Sequence, residues 1–166
     1  MLQTLPAGLR TDIMLELTRS MIERVPFFHG EAEGFVRSLV DRLKPQIASA
    51  GETLICAGQV QMEMYFVQRG EFDIFFGSPP VIVGKLRQGD YFGEALLSAK
   101  PCASTIQART FCDLFTLARR ALVEVLTYYP ETEKKMHELV AKRLEEDRLK
   151  GKEAMLMSKY GQKWVQ

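Results

Sequence analysis

The apolar positions change period twice along the chain, from four to two and back to four. Residues 9–25 place Leu9, Ile13, Leu17, Met21 and Val25 four apart. Side chains at that spacing share one face of a helix, so the segment predicts an amphipathic helix ended by Pro26. A second helix is expected over 31–43, with Phe35, Val36, Leu39, Val40 and Leu43 on one face and Pro45 as its stop. From 45 to 117 the pattern becomes short runs rich in Val, Ile, Phe and Tyr. These are Thr53–Cys56, Met64–Val67, Phe72–Phe76, Val81–Val83, Ser104–Ala108 and Cys112–Leu117. Gly51, Gly58, Gly70, Gly77-Ser78-Pro79-Pro80 and Gly89-Asp90 separate them. Short strands at this interval predict a sandwich or closed barrel. Helical spacing returns at Ala118 with Leu122, Val125, Leu126 and Tyr129, and Pro130 breaks it. A final helix is expected over 131–150, carrying Met136, Leu139, Val140 and Leu144, with Gly151 as its stop and a weakly helical basic tail over 151–166.

Composition narrows the classes without naming one. The 166 residues suffice for one domain and a small appendage. A hydrophobic fraction of 46% with 26% charged residues is ordinary globular composition. A net charge of +1 gives no global field for nucleic acid or an anionic membrane. No run approaches the roughly 18 apolar residues of a membrane span. The cysteines, Cys56, Cys102 and Cys112, form no CxxC pair, and His29 and His137 are far apart, so neither a zinc site nor a disulfide framework is expected. That usage fits a reducing, cytosolic setting. No nucleophile–base pair, metal triad or phosphate-binding Walker loop is present, which argues against an enzyme. No helix-turn-helix or basic face argues for nucleic-acid binding.

The informative stretch runs Gly89-Asp90-Tyr91-Phe92-Gly93-Glu94-Ala95-Leu96-Leu97, then Pro101-Cys102-Ala103-Ser104-Thr105-Ile106-Gln107-Ala108. A strand ends at a glycine turn, a Phe-Gly-Glu step leads into a short apolar helical turn, and another strand follows. Backbone N–H groups at such a helix start can hold an anion, and Gly93 lets a ligand come close to the backbone. Glu94 can accept hydrogen bonds from hydroxyl groups; the plainer reading is an acid that complements its own helix dipole. Gly93 is equally accounted for by the turn itself.

This stretch resembles the phosphate-binding cassette of cyclic-nucleotide-binding domains. A second block, Gly51-Glu52-Thr53-Leu54-Ile55 with Gly58, then Met64-Tyr65-Phe66-Val67 and Gly70, resembles the same family, in the right order and spacing. The flanks, including Leu5-Pro6, Leu9-Arg10, Val25-Pro26-Phe27-Phe28, Phe111–Leu114, Tyr129-Pro130 and Arg143-Leu144, resemble the hyperpolarisation-activated and cyclic-nucleotide-gated ion channels. The resemblance implies an α+β fold. Its centre is an antiparallel, jelly-roll-like β-roll of about eight strands, flanked by N-terminal linker helices and two C-terminal helices. Residues 1–25 would be the end of the channel linker, 26–150 the binding domain and 151–166 the tail. Cyclic AMP or cyclic GMP would be the ligand, with no cofactor beyond it and no metal. A transmembrane pore of the same chain would be the partner, in a homotetramer at the cytoplasmic face of the plasma membrane. The same module on a voltage-sensing sodium/proton exchanger remains an alternative.

Carried over residue by residue, the expected ligand contacts are Phe92, Gly93, Glu94, Ala95 and Leu96 of the cassette, Cys102, Ala103 and Ser104 after it, Ile74 and Val83 on the roll's inner face, and Arg143 and Asp147 on the final helix. Ile74 and Val83 are core residues first. Met136, Val140, Arg143 and Asp147 form one helical stripe that starts apolar and turns charged. The bland reading of its charged end is an Arg143–Asp147 surface pair worth a few tenths of a kcal/mol. Phe27 and Phe28 read as packing anchors where the linker enters.

Cys102 stands where the family has an arginine that pairs with the cyclic phosphate, and the cassette is one residue short. Loss of a charge-assisted hydrogen bond of about 1.5–3 kcal/mol weakens binding roughly ten- to a hundredfold. Lys100 offers a partial replacement as a point charge. Ala103 lacks the hydroxyl of members that favour cyclic GMP, whereas Asp147 matches an acid that reads guanine; cyclic AMP is slightly favoured. A domain of the same fold that binds nothing and serves assembly is the competing expectation.

Overall fold

The computed structural model describes residues 6–26 and 28–161. Helix α1 (Ala7–Glu23) is followed by α2 (Glu33–Val40) and strands β1 (Lys44–Ala48), β2 (Thr53–Ile55), β3 (Glu63–Arg69), β4 (Phe72–Phe76), β5 (Val81–Leu86) and β6 (Tyr91–Phe92). A 3₁₀ turn (Glu94–Leu97), β7 (Ser104–Ala108), β8 (Cys112–Ala118), α3 (Arg119–Leu126) and α4 (Pro130–Gly161) complete the described chain. The strands form two four-stranded sheets, β1-β8-β3-β6 and β2-β7-β4-β5, with every pairing antiparallel. This is the expected α+β roll between N- and C-terminal helices.

The continuous apolar run Met64–Val67 has a structural cause. Met64 and Phe66 face the helices, in a core with Ile22, Phe28, Phe35, Leu39, Leu122, Leu126 and Met136. Tyr65 and Val67 face the roll interior with Phe72, Phe92, Ile106 and Leu114. Strand β8 is shared in the same way, Leu114 into the roll and Phe115 and Leu117 toward the helices. Strands covered on both faces lose the polar alternation of half-exposed ones.

Two helices end elsewhere than expected. α2 stops at Val40, with Asp41 as its cap, before Pro45. Pro45 instead lies in β1, which pairs only with β8; an edge strand tolerates a residue without an N–H. Gly151 does not stop α4, which continues as helix to Gly161, so the expectation of a weakly helical segment after 150 is corrected. The reason is tertiary: Gly151 is buried against Phe76 of β4, and packing outweighs its poor helix propensity. Phe28 is fully buried, with its ring 5.8 Å from Phe35, whose ring is 5.2 Å from Tyr129; Phe27 lies outside the described residues.

Candidate functional site

Strand β6 is only two residues long and pairs with β3 through Tyr65–Phe92 and Phe66–Tyr91. Gly93 then turns the chain at φ +96°, and a Cβ on it would sit 2.6 Å from the Glu63 carbonyl oxygen. Both the positive φ and the nearness of the β3 backbone require glycine here. The turn delivers Glu94 to the start of the 3₁₀ segment, with its side chain 11% exposed. On α4, Arg143 reaches back, its Nε 3.6 Å from Glu94 Oε1 and 3.8 Å from Asp147 Oδ2. Its guanidinium carbon lies 5.6 Å from the centre of the Tyr91 ring, within range of a cation–π interaction.

Between these groups and the β4–β5–β7 face lies a cavity of about 830 Å³. Its floor is Ile55, Ile74, Val83, Leu86 and Ile106, one wall is Tyr91–Ala95, and another is the loop from Ser98 to Ser104. α4 covers it with Val140, Arg143, Leu144, Asp147 and Gly151 among others. The cavity thus has an apolar floor and a rim carrying both signs of charge, the make-up of a small-molecule site.

Of the twelve candidate residues, Ile74, Val83, Phe92, Gly93, Glu94, Ala95, Cys102, Ala103, Ser104, Arg143 and Asp147 all line this one cavity. Leu96 does not, and that expectation is corrected. It is 1% exposed within the helix-side core with Phe66 and Phe115, because the tight 3₁₀ turn points it away from its neighbours. Arg143 and Asp147 pair as the bland reading expected, but the pair extends to Glu94 and Tyr91 inside the cavity.

Burial pushes the Glu94 carboxyl pKa up; its own and Gly93's backbone N–H groups and Arg143 pull it down, and Asp147 adds to the rise. Burial likewise raises the Cys102 thiol, helped by Cys56 and Glu94, so the residue is a neutral thiol rather than a thiolate. Its Sγ lies 3.7 Å from Gln61 Oε1, its backbone N–H donates to Gln59 O at 2.9 Å, and its carbonyl accepts from Gly58 N–H at 2.8 Å. The backbone of Cys102 is therefore committed to the Gly58–Gln59 turn. Among the described residues no group of three or more His, Cys, Asp or Glu side chains is placed to hold a metal.

Sequence reasoning did not select Tyr91, Leu86, Ile55, Ile106, Arg148, Lys150 or Gly151, all of which line the cavity. Tyr91 was legible only as part of the Gly-Asp-Tyr-Phe-Gly-Glu run, since a two-residue strand is too short to show a period. In the sequence Gly151 reads as a helix stop, which hides its place in the cavity wall.

Two comparisons bear on this site. Residues 45–129 match the family model described as the cyclic nucleotide-binding domain. The chain is 39% identical over 133 residues, 78% of its length, to the voltage-gated inwardly rectifying potassium channel KCNH2 of Sus scrofa, and covers 11% of that protein. It is 38% identical over 132 residues to the voltage-gated inwardly rectifying potassium channel KCNH6 of Rattus norvegicus, covering 14% of it, and 36% identical over 133 residues to KCNH7 of Mus musculus, covering 11%. The fold and its cavity are those of a β-roll domain whose last helix roofs a pocket with an apolar floor. The chain belongs to the cyclic nucleotide-binding domain family, with relatives among voltage-gated potassium channels. Among its described residues no helix is long and apolar enough to cross a membrane.

Proposed function

We propose that the chain is a non-enzymatic regulatory module that binds a cyclic purine nucleotide under α4 and passes the bound state through α1 and α2 to a voltage-gated cation-channel pore. The observation that carries the reading is the meeting of cassette and lid in one cavity: Glu94 of the Phe-Gly-Glu turn and Arg143 of α4, 3.6 Å apart over an apolar floor. A cavity of about 830 Å³ falls in the range of roughly 300–1,000 Å³ that holds ligands of this size. The purine would lie on Ile74 and Val83 and the sugar hydroxyls near Glu94. Cyclic AMP is preferred slightly over cyclic GMP because Ala103 offers no hydroxyl. The module would sit at the cytoplasmic face of the plasma membrane in a homotetrameric channel.

The route to the pore is supported by contacts that tie α4 and the residue before it to α2 and to the segment joining α1 to α2. Thr132 Oγ1 donates to Glu31 Oε2 at 2.7 Å, Lys135 Nζ pairs with Glu31 Oε1 at 3.0 Å, and Phe35 bridges Phe28 and Tyr129.

A second reading, a domain of this fold that binds no nucleotide, is favoured by two observations. Glu94 and Arg143 already satisfy one another, and Cys102 supplies neither a guanidinium nor a free N–H. Calorimetric titration with cyclic AMP and cyclic GMP separates the two. The first reading expects saturable binding that Glu94→Ala and Arg143→Ala both weaken. No heat at millimolar nucleotide rejects it and leaves an assembly module.

A further inference from the structure

Gly151 has no backbone reason to be glycine. It lies inside α4, ten residues before the helix ends, at a position where glycine is the least favourable residue after proline. Its φ is not in the left-handed region, so conformational freedom is not what the site uses. What the site lacks is space: a Cβ there would lie 2.9 Å from Cδ2 and 3.1 Å from Cε2 of Phe76, at the end of β4. The matching contact one turn later is also close, since a Cβ on Gly77 would lie 2.6 Å from Met155 Sδ. Arg143, Asp147, Gly151 and Met155 follow one another at four-residue steps, so they form a single stripe facing the roll. The stripe is held at both sides of the cavity, by Glu94 against Arg143 and by Phe76 against Gly151. Eight residues of helix, about 12 Å, separate the two holding points.

We infer that Gly151 is a positioning residue for ligand binding: the notch it leaves in α4 seats the helix on Phe76 and thereby sets how deep Arg143 and Asp147 enter the cavity. A side chain at 151 wedges α4 outward, and because the helix is rigid over two turns, the wedge lifts the charged stripe from Glu94. The role in binding rests on the nucleotide reading of the cavity; the seating on Phe76 does not.

The test uses Gly151→Ala, Gly151→Leu and the compensating double variant Gly151→Leu with Phe76→Ala, each read by amide hydrogen exchange over residues 144–157 without nucleotide and by calorimetric affinity for cyclic AMP. Alanine raises helix propensity, so a glycine with no seating role predicts slower exchange and unchanged affinity. The inference predicts the opposite sign: exchange several-fold faster for Gly151→Ala, about tenfold or more for Gly151→Leu, affinity falling in parallel, and recovery of most of both losses in the double variant. Slower exchange in Gly151→Ala, or no rescue by Phe76→Ala, overturns the inference. If the unsubstituted protein binds no nucleotide, the positioning role falls with the reading it rests on, a failure that exchange does not share and that is therefore told apart from loss of seating.

Discussion

Glu94 is a carboxylate held largely out of water beside one guanidinium. Its pKa is raised from the ordinary 4.5, chiefly by burial. Between that ordinary value and the raised one, the folded protein keeps a proton that the unfolded chain has released. Folding stability from this group therefore falls as pH rises through that window. Urea denaturation across the window should show the stability of the unsubstituted protein decreasing relative to Glu94→Gln as pH increases from about 4.5. Parallel profiles would mean that the Arg143 contact cancels the cost of burial. Cys102 invites a second change. An arginine at 102 restores a charge-assisted donor beside the cavity, so Cys102→Arg should tighten cyclic-nucleotide binding roughly ten- to a hundredfold, read by calorimetry. Unchanged affinity would place the anion away from the Ser98–Ser104 loop.

Among the elements, the joint between α1, α2, α3 and α4 centres on three aromatic rings. Phe35 is fully buried and packs between Phe28 and Tyr129. Phe35→Ala should cost about 3–5 kcal/mol by chemical denaturation, since it removes a fully buried ring from the helix-side core. The elements themselves were largely legible in the chain. Six of the strands stood out as runs rich in Val, Ile and Phe, the first four of them bracketed by glycines. β1 was hidden by Pro45, which reads as a helix stop although an edge strand accepts it, and β6 by its two-residue length. Of the site, Glu94 and Arg143 were legible from the cassette and the lid stripe. The place of Gly151 was not, because a glycine demanded by a distant ring carries the same letter as one that ends a helix. Leu96 failed for a related reason: membership of a motif does not say which way a 3₁₀ turn points a side chain.

For the molecule as a whole, ligand binding should appear as heat resistance. A micromolar site at millimolar cyclic AMP adds about 4 kcal/mol to the folded state, enough for a clear rise in Tm. Glu31→Ala removes the partner of Thr132 and Lys135. It should leave nucleotide affinity nearly unchanged in calorimetry while reducing the voltage shift that the nucleotide causes in a full-length channel carrying this module. An unaltered shift would move the coupling to the Phe28–Phe35–Tyr129 stack. The two shared strands carry a last consequence. β3 and β8 each give one face to the roll interior and the other to the helices. Neither core can melt without stripping the other of a wall, so the domain should unfold in one calorimetric transition rather than two. A ligand bound in the cavity would then strengthen α1 and α2 even if no atom in them moved, so those helices would register occupancy as rigidity before displacement.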